Sequence, residues 1–393
     1  MQGYWDNLSG LSAKVVMVKS NLINIDTRLT KEYSALRKLN CNVALLCWNR
    51  EKKDLLGEYS QIETLNLRAP YGVSGIFLLP IWELYVLVKL LVEDYDVVHV
   101  VNFDSFIPSL VAAKIKGKSI IYEIEDTYED QIRLPSPLRE LIFRIDKYLL
   151  KFADAIILVD NCQIQEFRGL SNPNVHVIYD SPPDASHTFS DRSPEESIFK
   201  IFYPGVLFRA RRLNIDAVIE FVMKTDNVQL TISGYGDMVD QINQLAERMP
   251  DKIRYVGWIP DRETLFQMMH NSDATFVLKD PSIPLNKYIC GSKIFEAMMC
   301  SIPVIVNRGT SAAKKVKESN CGLIVDVSDE NDLHNALLRL INDQKYKEQL
   351  GINARKAYDQ VYHWMIMEEK LLRLYSDLLV RNNTSASKKD GSQ

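Results

Sequence analysis

The chain has 393 residues, too many for one ordinary domain of about 100–200 residues, so we expect two domains. Hydrophobic residues make up 46 % and charged residues 25 % of the chain, which excludes a disordered or collagen-like protein. Lys and Arg number 47 against 51 Asp and Glu, and the net charge of -4 gives no electrostatic reason to expect a nucleic acid as partner. The six cysteines form no CxxC pair, which favours reduced thiols over disulfides or a zinc site.

Short β-branched runs alternate with helical patterns through the first half of the chain. We predict strands at 15–18, 43–48, 97–101, 119–122, 155–159 and 175–179, and helical segments at 29–36, 107–115 and 138–152. Such alternation is typical of a parallel sheet with right-handed crossovers. We therefore predict a doubly wound, Rossmann-like α/β domain over residues 1–182.

The most apolar stretch, residues 76–92, is interrupted by Pro80, Glu83 and Lys89, so we predict no transmembrane helix. We favour a packed helix here, and the alternative is a peripheral contact of residues 76–91 with a bilayer. The first ten residues are polar and lack the pattern of a secretory signal, so we expect a cytoplasmic protein.

Residues 183–197 are rich in Pro, Ser and charge and are interpreted as an interdomain linker. The alternation then restarts, with strands at 200–203, 229–233, 253–256, 274–278, 303–306 and 323–325 and helices beginning at 214, 238, 262, 314 and 331. We predict a second Rossmann-like domain over 198–362, a final helix over 363–381 and a disordered tail over 382–393. Two such domains imply a cleft between the carboxyl ends of their sheets.

A loop of about a dozen residues follows the predicted strand 274–278 and leads to a short helix opened by Gly291 and Ser292. Gly291 lets the backbone approach a ligand closely, and Ser292 is a good N-cap, so this helix end would suit a diphosphate. Glu296 lies about one turn further, where its carboxylate could reach a ribose. The alternative is a capped helix in which Glu296 only complements the helix dipole.

Three arginines, Arg209, Arg211 and Arg212, follow Gly205 in the first strand-to-helix loop of the second half. Guanidinium groups neutralise phosphate oxygens and stabilise the charge on a departing diphosphate, so we expect one of the three in that role. The alternative for any one of them is a solvated basic turn. The glycines of the segment 234–236 end the next strand, and a GxG alone is typical of a tight turn.

In the first half, residues 21–28 follow the first strand and lack a GxGxxG pattern, which disfavours a nicotinamide dinucleotide. His99 lies inside a strand and is more typical of a core residue than of a catalyst. Asn102 and Asp104 follow at the carboxyl end, where we expect Asp104 to contact a sugar. The acidic run 123–130 could supply a base or bind hydroxyls, with a solvated acidic turn as the alternative.

Metal-binding patterns are absent from the sequence. The DxD at 94–96 precedes its strand, at the wrong end of a parallel sheet to hold a metal and a diphosphate. The six histidines show neither HExxH nor HxH spacing. We therefore expect no metal and no other cofactor.

The order of these loops resembles that of GT-B fold glycosyltransferases, in particular glycosyltransferase family 4. The second half carries the stronger match, through Gly205…Arg211, the 234–236 turn, GWIP at 257–260, GSKIFEAMMCSIPVIV at 291–306 and CGLIVDVSDENDL at 321–333. In the first half, DTR at 26–28 and VHVVNFDSF at 98–106 resemble the acceptor-side patterns. Tyr358, Trp364 and 371–375 resemble the helix that returns to the first domain. The resemblance covers nearly the whole chain and implies two Rossmann-like domains facing a cleft.

This resemblance implies roles for particular residues. Glu296 matches the second glutamate of the family's E-x7-E motif, which binds the nucleotide ribose, while Tyr288 replaces the first. Some branches carry an N-x-Y…K-x-x-E pattern, which the chain resembles at Asn286, Tyr288, Lys293 and Glu296. The other donor-side residues are Gly205, Arg212, Gly234, Gly236, Ile259, Gly291 and Ser292. The acceptor-side residues are Asp26, Arg28, Asn102, Asp104 and Glu125, and the catalytic candidates are Arg209, Arg211, Asp104 and Glu296.

The resemblance also implies an activity: transfer of a sugar from a UDP- or GDP-sugar to a hydroxyl of a glycan or lipid-linked acceptor, with retention and without metal, in polysaccharide or glycoconjugate biosynthesis. The family's first-domain histidine is missing, because Glu125 occupies that region. Two alternatives stay open. One is a sugar-nucleotide epimerase or hydrolase on the same fold, and the other is an inactive paralogue that binds a partner.

Overall fold

We describe a computed structural model of the chain over residues 13–21, 27–52, 63–69, 77–125, 136–167, 172–190 and 198–390. The chain divides into two compact units, one formed by residues 1–179 with 367–393 and the other by 180–366. Each unit is an α/β structure with parallel strands, which confirms the predicted fold class. No helix in these ranges combines the length and the apolar character needed to span a bilayer.

The first unit is built on a seven-stranded parallel sheet in the order β3-β2-β1-β4-β5-β6-β7. Its strands are β1 (Lys14–Lys19), β2 (Asn42–Trp48), β3 (Glu63–Leu65), β4 (Val97–Val101), β5 (Ser119–Ile124), β6 (Ala155–Leu158) and β7 (Val175–Val177). Every residue of β4, β5 and β6 is buried, as expected for central parallel strands covered by helices on both faces. Apart from the buried polar residues His99, Ser119 and Glu123, apolar residues therefore form the middle of this sheet.

The described residues of this unit form six helices: α1 (Thr27–Lys38), α2 (Leu79–Val92), α3 (Phe103–Lys116), α4 (Ser136–Leu149), α5 (Gln163–Glu166) and, from Met367 on, α14 (Trp364–Asp390). A 3-10 turn, Leu150–Phe152, extends α4. Helix α3 ends at Gly117, whose φ of 64° is the left-handed conformation that terminates many helices. Helix α14 contacts the sheet through Tyr375, whose hydroxyl lies 2.8 Å from His99 Nδ1.

Where the structure describes the second unit, it has six parallel strands in two groups of three, β10-β9-β8 and β11-β12-β13, joined by a bridge between Ile201 and Ala274. The strands are β8 (Phe199–Val206), β9 (Val228–Tyr235), β10 (Ile253–Tyr255), β11 (Thr275–Val277), β12 (Val304–Asn307) and β13 (Gly322–Val325). The helices are α6 (Ile215–Lys224), α7 (Val239–Arg248), α8 (Arg262–His270), α9 (Pro284–Tyr288), α10 (Lys293–Met299), α11 (Ser311–Ser319), α12 (Glu330–Asn342) and α13 (Gln344–Ala357), followed by a π-helical turn (Tyr358–Tyr362).

Several elements differ from the prediction. Strand β3 and helix α13 were not predicted, and α9 forms inside the expected long loop, where Pro284 occupies its first turn. The chain from 183 to 190, predicted as linker, belongs to the second unit, where Asp184 pairs with Arg355 at 2.7 Å. We predicted a disordered tail over 382–393, but the backbone of 382–390 continues α14. No Gly or Pro interrupts the helix before Gly391.

Candidate functional site

The loop between β8 and α6 carries the three predicted arginines, and the structure gives them different partners. The backbone N–H of Arg209 donates to Asp237 Oδ1 at 2.9 Å, and its guanidinium donates to Gln241. The Arg212 guanidinium forms an ion pair with Asp280 at 3.0 Å. Among the described residues, the exposed guanidinium of Arg211 has neither a hydrogen-bond nor an ion-pair partner. Arg211 is therefore the arginine of this loop that is available to an anionic ligand.

The segment between β11 and α10 is folded by internal hydrogen bonds. The side chain of Asn286 is buried and donates to the carbonyl of Asp280 at 2.8 Å. Asp280 also pairs with Arg212. The pKa of Asp280 is lowered first by backbone and side-chain hydrogen bonds from Ser282 and further by Arg212. Tyr288 is half-buried at the end of α9. Asn286 thus shapes the loop in this structure, and its predicted contact with a donor sugar stays a prediction.

Helix α10 begins differently from the prediction. Ser292 occupies the predicted N-cap position, but its backbone is helical, with φ -67° and ψ -30°, and its side chain makes no capping hydrogen bond. Side-chain capping needs an extended N-cap residue, which this backbone does not provide. Gly291, just before it, has φ +78°, and a Cβ there would lie 3.5 Å from Lys279 Nζ. A positive φ at this position explains the glycine.

Glu296 is the buried acid of this site, with 3 % of the residue exposed. Its Oε1 accepts a hydrogen bond from Arg262 at 2.8 Å, and Arg262 lies on the neighbouring helix α8. No described residue donates to Oε2. A buried carboxylate with one oxygen uncommitted can accept a hydrogen bond from a ligand hydroxyl. Arg262 was not predicted, because nothing in the sequence relates it to an acid 34 positions away.

Lys293 joins α10 to the end of β8. Its Nζ lies 4.0 Å from the centre of the Tyr203 ring, a cation–π contact. A Cβ on Gly205 would overlap this ammonium, which the flexible lysine could relieve by moving, but the φ of +145° at Gly205 is one that residues with a side chain rarely adopt. The structure therefore brings together two predicted donor-side residues that are distant in sequence, Gly205 and Lys293.

The glycines at the end of β9 have a packing role. Gly234 has φ +152°, and a Cβ there would overlap the carbonyl oxygen of Gly205 on the neighbouring strand. Gly236 has φ +151°, and a Cβ there would overlap the carbonyl of Leu207. These contacts hold the β8 and β9 loops together, whether or not a ligand touches the glycines.

An exposed aromatic cluster, not predicted as a unit, follows the same strand ends. Tyr235 contacts Trp258 edge to face at 5.2 Å and Phe208 at 6.0 Å between ring centres. All three side chains are more than a third exposed. Ile259, a predicted donor-side residue, is half-buried beside this cluster in the chain. Spacing could not reveal the cluster, because its members come from two loops and the end of β9.

In the first unit, Arg28 lies in a buried ion cluster with Glu32, His99 and Glu123. Its guanidinium pairs with Glu123, with Glu32 at 3.1 Å, and donates to the carbonyl of Ile178 at 2.9 Å. His99 Nε2 lies 2.9 Å from Glu123. Burial acts to raise the pKa of Glu123, but Arg28 and His99 outweigh it and lower that pKa. Burial and the nearby Glu123 raise the pKa of Glu32.

This cluster is also the place where a metal could be considered. Within the described residues, it is the one group whose His and acidic ligand atoms lie within 4.8 Å of one another. Arg28 already pairs with both carboxylates, so the position between them holds a positive charge.

The DxD at 94–96 directly precedes β4, and its Asp94 pairs with Lys14 at 2.7 Å. It therefore lies at the amino ends of the strands, opposite the carboxyl ends that carry the acceptor-side residues.

The other acceptor-side residues form a second buried network. Asp104, in the first turn of α3, accepts a hydrogen bond from Ser20 and lies 4.0 Å from Arg50. Burial raises the pKa of Asp104, and the hydrogen bond from Ser20 and the charge of Arg50 oppose that rise. Glu125 pairs with Lys19 at 2.6 Å.

Asn102 connects this network to the next strand. It has φ 64° and its side-chain oxygen accepts from the N–H of Glu125 at 3.0 Å. Asp26 and residues 126–130 of the acidic run lie outside the described residues. The strand ends therefore bring Asn102, Asp104 and Glu125 to one edge of the sheet, as their positions predicted.

Two family profiles match the chain, one to each half. Residues 27–180 match Glycosyltransferase Family 4, and residues 190–357 match Glycosyl transferases group 1. The chain belongs to the family 4-like glycosyltransferases of the GT-B fold. This confirms the resemblance drawn from the loops.

Individual relatives are more distant. The capsular polysaccharide biosynthesis glycosyltransferase CapM of Staphylococcus aureus is 26 % identical over 186 residues, 46 % of this chain and 47 % of the relative. A GDP-mannose-dependent mannosyltransferase of Corynebacterium glutamicum, which acts on a monoacylated phosphatidylinositol monomannoside, is 22 % identical over 160 residues, 41 % of this chain and 42 % of the relative. The matched part of the chain thus spans less than half the length of these curated relatives.

Solved structures extend the similarity of fold to almost the whole chain. HepE of Anabaena, in complex with UDP-glucose, has a TM-score of 0.66 and 15 % sequence identity, and the match covers 93 % of this chain and 100 % of that structure. At this identity the likeness concerns the fold alone.

Proposed function

We propose that this glycosyltransferase moves a sugar from a UDP- or GDP-sugar to a hydroxyl of a glycan or lipid-linked acceptor, in polysaccharide or glycoconjugate biosynthesis. The observation that carries the proposal is Glu296, a buried carboxylate that keeps Oε2 uncommitted in the half that matches the group 1 transferases. Relatives that use GDP-mannose or bind UDP-glucose support a nucleotide-sugar donor.

In this proposal the second unit binds the donor. Glu296 accepts hydrogen bonds from the ribose. Arg211 neutralises the diphosphate, since its guanidinium has no partner among the described residues and is available for phosphate oxygens. Lys293 lies near Gly205 and adds a second positive charge at the end of β8. As the bond to the sugar breaks, negative charge grows on the departing diphosphate, and these cations stabilise it.

The acceptor binds at the first unit in this proposal, near Asn102, Asp104 and Glu125. The proposal includes retention of configuration through a front-face route, in which the departing phosphate takes the proton of the acceptor hydroxyl. That route needs no separate base, so the reaction depends on the positioning of the two reactants and on stabilisation of the departing diphosphate. In this proposal no metal takes part. Asp104 would bind and orient the acceptor hydroxyl.

The experiment is a transfer assay with UDP- and GDP-sugars, with and without glycan or lipid-linked acceptors and without metal. We expect glycosylated acceptor with one donor, with retained anomeric configuration. Glu296→Ala should abolish the product, while Glu263→Ala, an exposed acid on α8, should leave it unchanged. Free sugar or an epimer without acceptor would instead identify a hydrolase or an epimerase.

Tyr288, in place of the motif's first glutamate, motivates a second candidate, an inactive paralogue that binds a partner. This candidate predicts no turnover with any donor and no effect of Glu296→Ala on nucleotide binding. Tyr288→Glu separates the two, because gain of turnover in that variant alone would favour the paralogue.

A further inference from the structure

Helices α2, α3 and α4 cover the same face of the first sheet. Trp82 of α2 and Phe106 of α3 are buried in one core cluster, and Phe143 of α4 packs against it. The chain passes from β3 to β4, from β4 to β5 and from β5 to β6 in the same direction across the sheet, and right-handed crossovers then keep the connecting helices on one side. The outward sides of these three helices, here called the α2–α4 face, therefore form one surface.

The α2–α4 face is apolar along all three helices. Its exposed side chains recur at the spacing of one helix side: Ile81, Leu84, Val88 and Leu91 on α2, Ile107, Val111 and Ile115 on α3, and Leu138, Leu141, Ile145 and Tyr148 on α4, with Phe152 just beyond. Leu84 is 61 % and Ile115 is 67 % exposed. Apolar stripes on three adjacent helices exceed the scattered apolar exposure normal for a soluble surface.

The second unit shows that this exposure does not follow from the fold. Its helices α6, α7 and α8 also connect successive parallel strands. Across α6, α7 and α8, all of whose residues the structure describes, Met223 is the one large apolar side chain that is exposed. The sequence has therefore placed apolar residues outward on α2, α3 and α4 and not on α6, α7 and α8.

Positive charge borders the apolar stripe of α4. Arg144 and Lys151 follow Leu141 and Tyr148 by three positions, which places them along one side of the stripe. Lys151 Nζ lies 3.5 Å from the centre of the Tyr148 ring and 4.9 Å from that of Phe152. Exposed Lys114 lies beside Ile115 on α3. Amphipathic helices with aromatic and basic residues at the border are typical of surfaces that lie in a bilayer interface.

We propose that the α2–α4 face docks on an anionic phospholipid bilayer. The apolar stripes enter the interface and Lys151 contacts acidic headgroups, while Arg144 and Lys114 exchange their surface partners Glu140 and Asp154 for headgroups. A second copy of the chain is the competing occupant, and its binding is one outcome of the test below. The link between this surface and a lipid-linked acceptor rests on the proposed function. Asp104 opens α3 one turn before Ile107, so a lipid-linked acceptor would reach the acceptor-side residues from this surface.

The test is sedimentation of the full chain with vesicles of phosphatidylcholine mixed with phosphatidylglycerol, and with vesicles of phosphatidylcholine alone. We expect binding to the anionic vesicles that weakens with added salt and with the neutral lipid. The double variant Leu84→Glu with Leu141→Glu should bind at least about tenfold more weakly. Ile352→Glu is the matched control, because Ile352 lies on α13 of the second unit and is also 61 % exposed; it should bind as wild type.

Three outcomes would overturn the proposal: no binding of the wild type to either vesicle, binding that the double variant retains, or a wild-type dimer that the double variant converts to a monomer. Arg144→Glu with Lys151→Glu, confined to exposed residues, replaces the double variant if that one is misfolded, and should weaken binding to anionic vesicles only. Calorimetric titration of UDP and GDP on the same preparations separates the two proposals, since lost vesicle binding with intact nucleotide binding overturns only this one.

Discussion

At the strand ends of the first unit the charged side chains are buried against one another, whereas those of the second unit have fewer partners. Arg28 and Glu123 are almost fully buried and have several partners each. In the second unit, Arg211 is exposed with no partner among the described residues, and Glu296 has Arg262 alone. Buried pairs fix a structure, while uncommitted charges leave binding energy for a ligand. The comparison supports a structural role for the first cluster and the proposed nucleotide-binding role for the second.

The largest effect is expected from Glu123→Ala, which removes the main partner of the buried Arg28. Breaking a buried ion pair on one side costs about 3–5 kcal/mol, because a charge is left without compensation. Chemical denaturation of the full chain, followed by circular dichroism, measures the loss. The exposed pair Glu140 and Arg144, at 2.8 Å, supplies the control. Glu140→Ala should cost no more than about 0.5 kcal/mol, and equal losses in the two variants would contradict the assignment.

Arg211→Ala should weaken UDP or GDP binding roughly ten- to a hundredfold, the range for a charge-assisted hydrogen bond to phosphate. The unfolding midpoint should not move, because the guanidinium has no partner among the described residues. Titration calorimetry with the nucleoside diphosphate and monophosphate measures the effect. A loss as large for the monophosphate would place Arg211 away from the outer phosphate.

Arg212→Ala should have a smaller effect on nucleotide affinity, a few-fold at most, because Arg212 already pairs with Asp280. Its removal loosens the β11–α10 segment and leaves the neighbouring Arg211 in place. The same titration, run beside Arg209→Ala, ranks the three arginines. Our account fails for this loop if Arg212→Ala weakens binding more than Arg211→Ala does.

The smallest effect concerns acid stability and the pair of Asp184 with Arg355. Burial acts to raise the pKa of Asp184, but the hydrogen bond from Arg355 outweighs it and lowers that pKa. Its stabilisation is therefore present above the unfolded pKa of about 3.9 and is lost as the pH falls through the lower folded value. Asp184→Asn should lower the melting temperature at neutral pH, and its difference from wild type should shrink below about pH 4. A difference independent of pH would show that the charge of Asp184 is not its source.

Much of the fold follows from local patterns in the sequence. The β-branched runs at β1, β4 and β12 are long enough and apolar enough to be recognised as buried strands. Strand β3 has three residues and helix α9 has five, too few for a periodic signal. Elements of that size form because the surrounding structure holds them, which a local pattern does not record.

The sequence predicted several residues of the candidate site but not the contacts that these residues make. Gly205, Lys293 and Glu296 were identified along the chain, and the structure brings Lys293 to Gly205. The contact of Arg262 with Glu296, and that of Arg28 with Glu123 across 95 positions, depend on which elements become neighbours in space. The sequence also did not reveal that the side chain of Ser292 makes no capping hydrogen bond. The backbone conformation of Ser292 is helical, and a local pattern does not record that conformation.

Calorimetric titration of UDP and GDP, without metal, into wild type, Glu296→Ala and Glu263→Ala tests the central claim most directly. The account predicts that one nucleotide binds the wild type and the Glu263→Ala control equally. It predicts that Glu296→Ala weakens this binding at least about tenfold, because a buried carboxylate no longer accepts the ribose hydroxyls. Folded wild-type protein that binds neither nucleotide, or equal affinity in the Glu296→Ala variant, would contradict it.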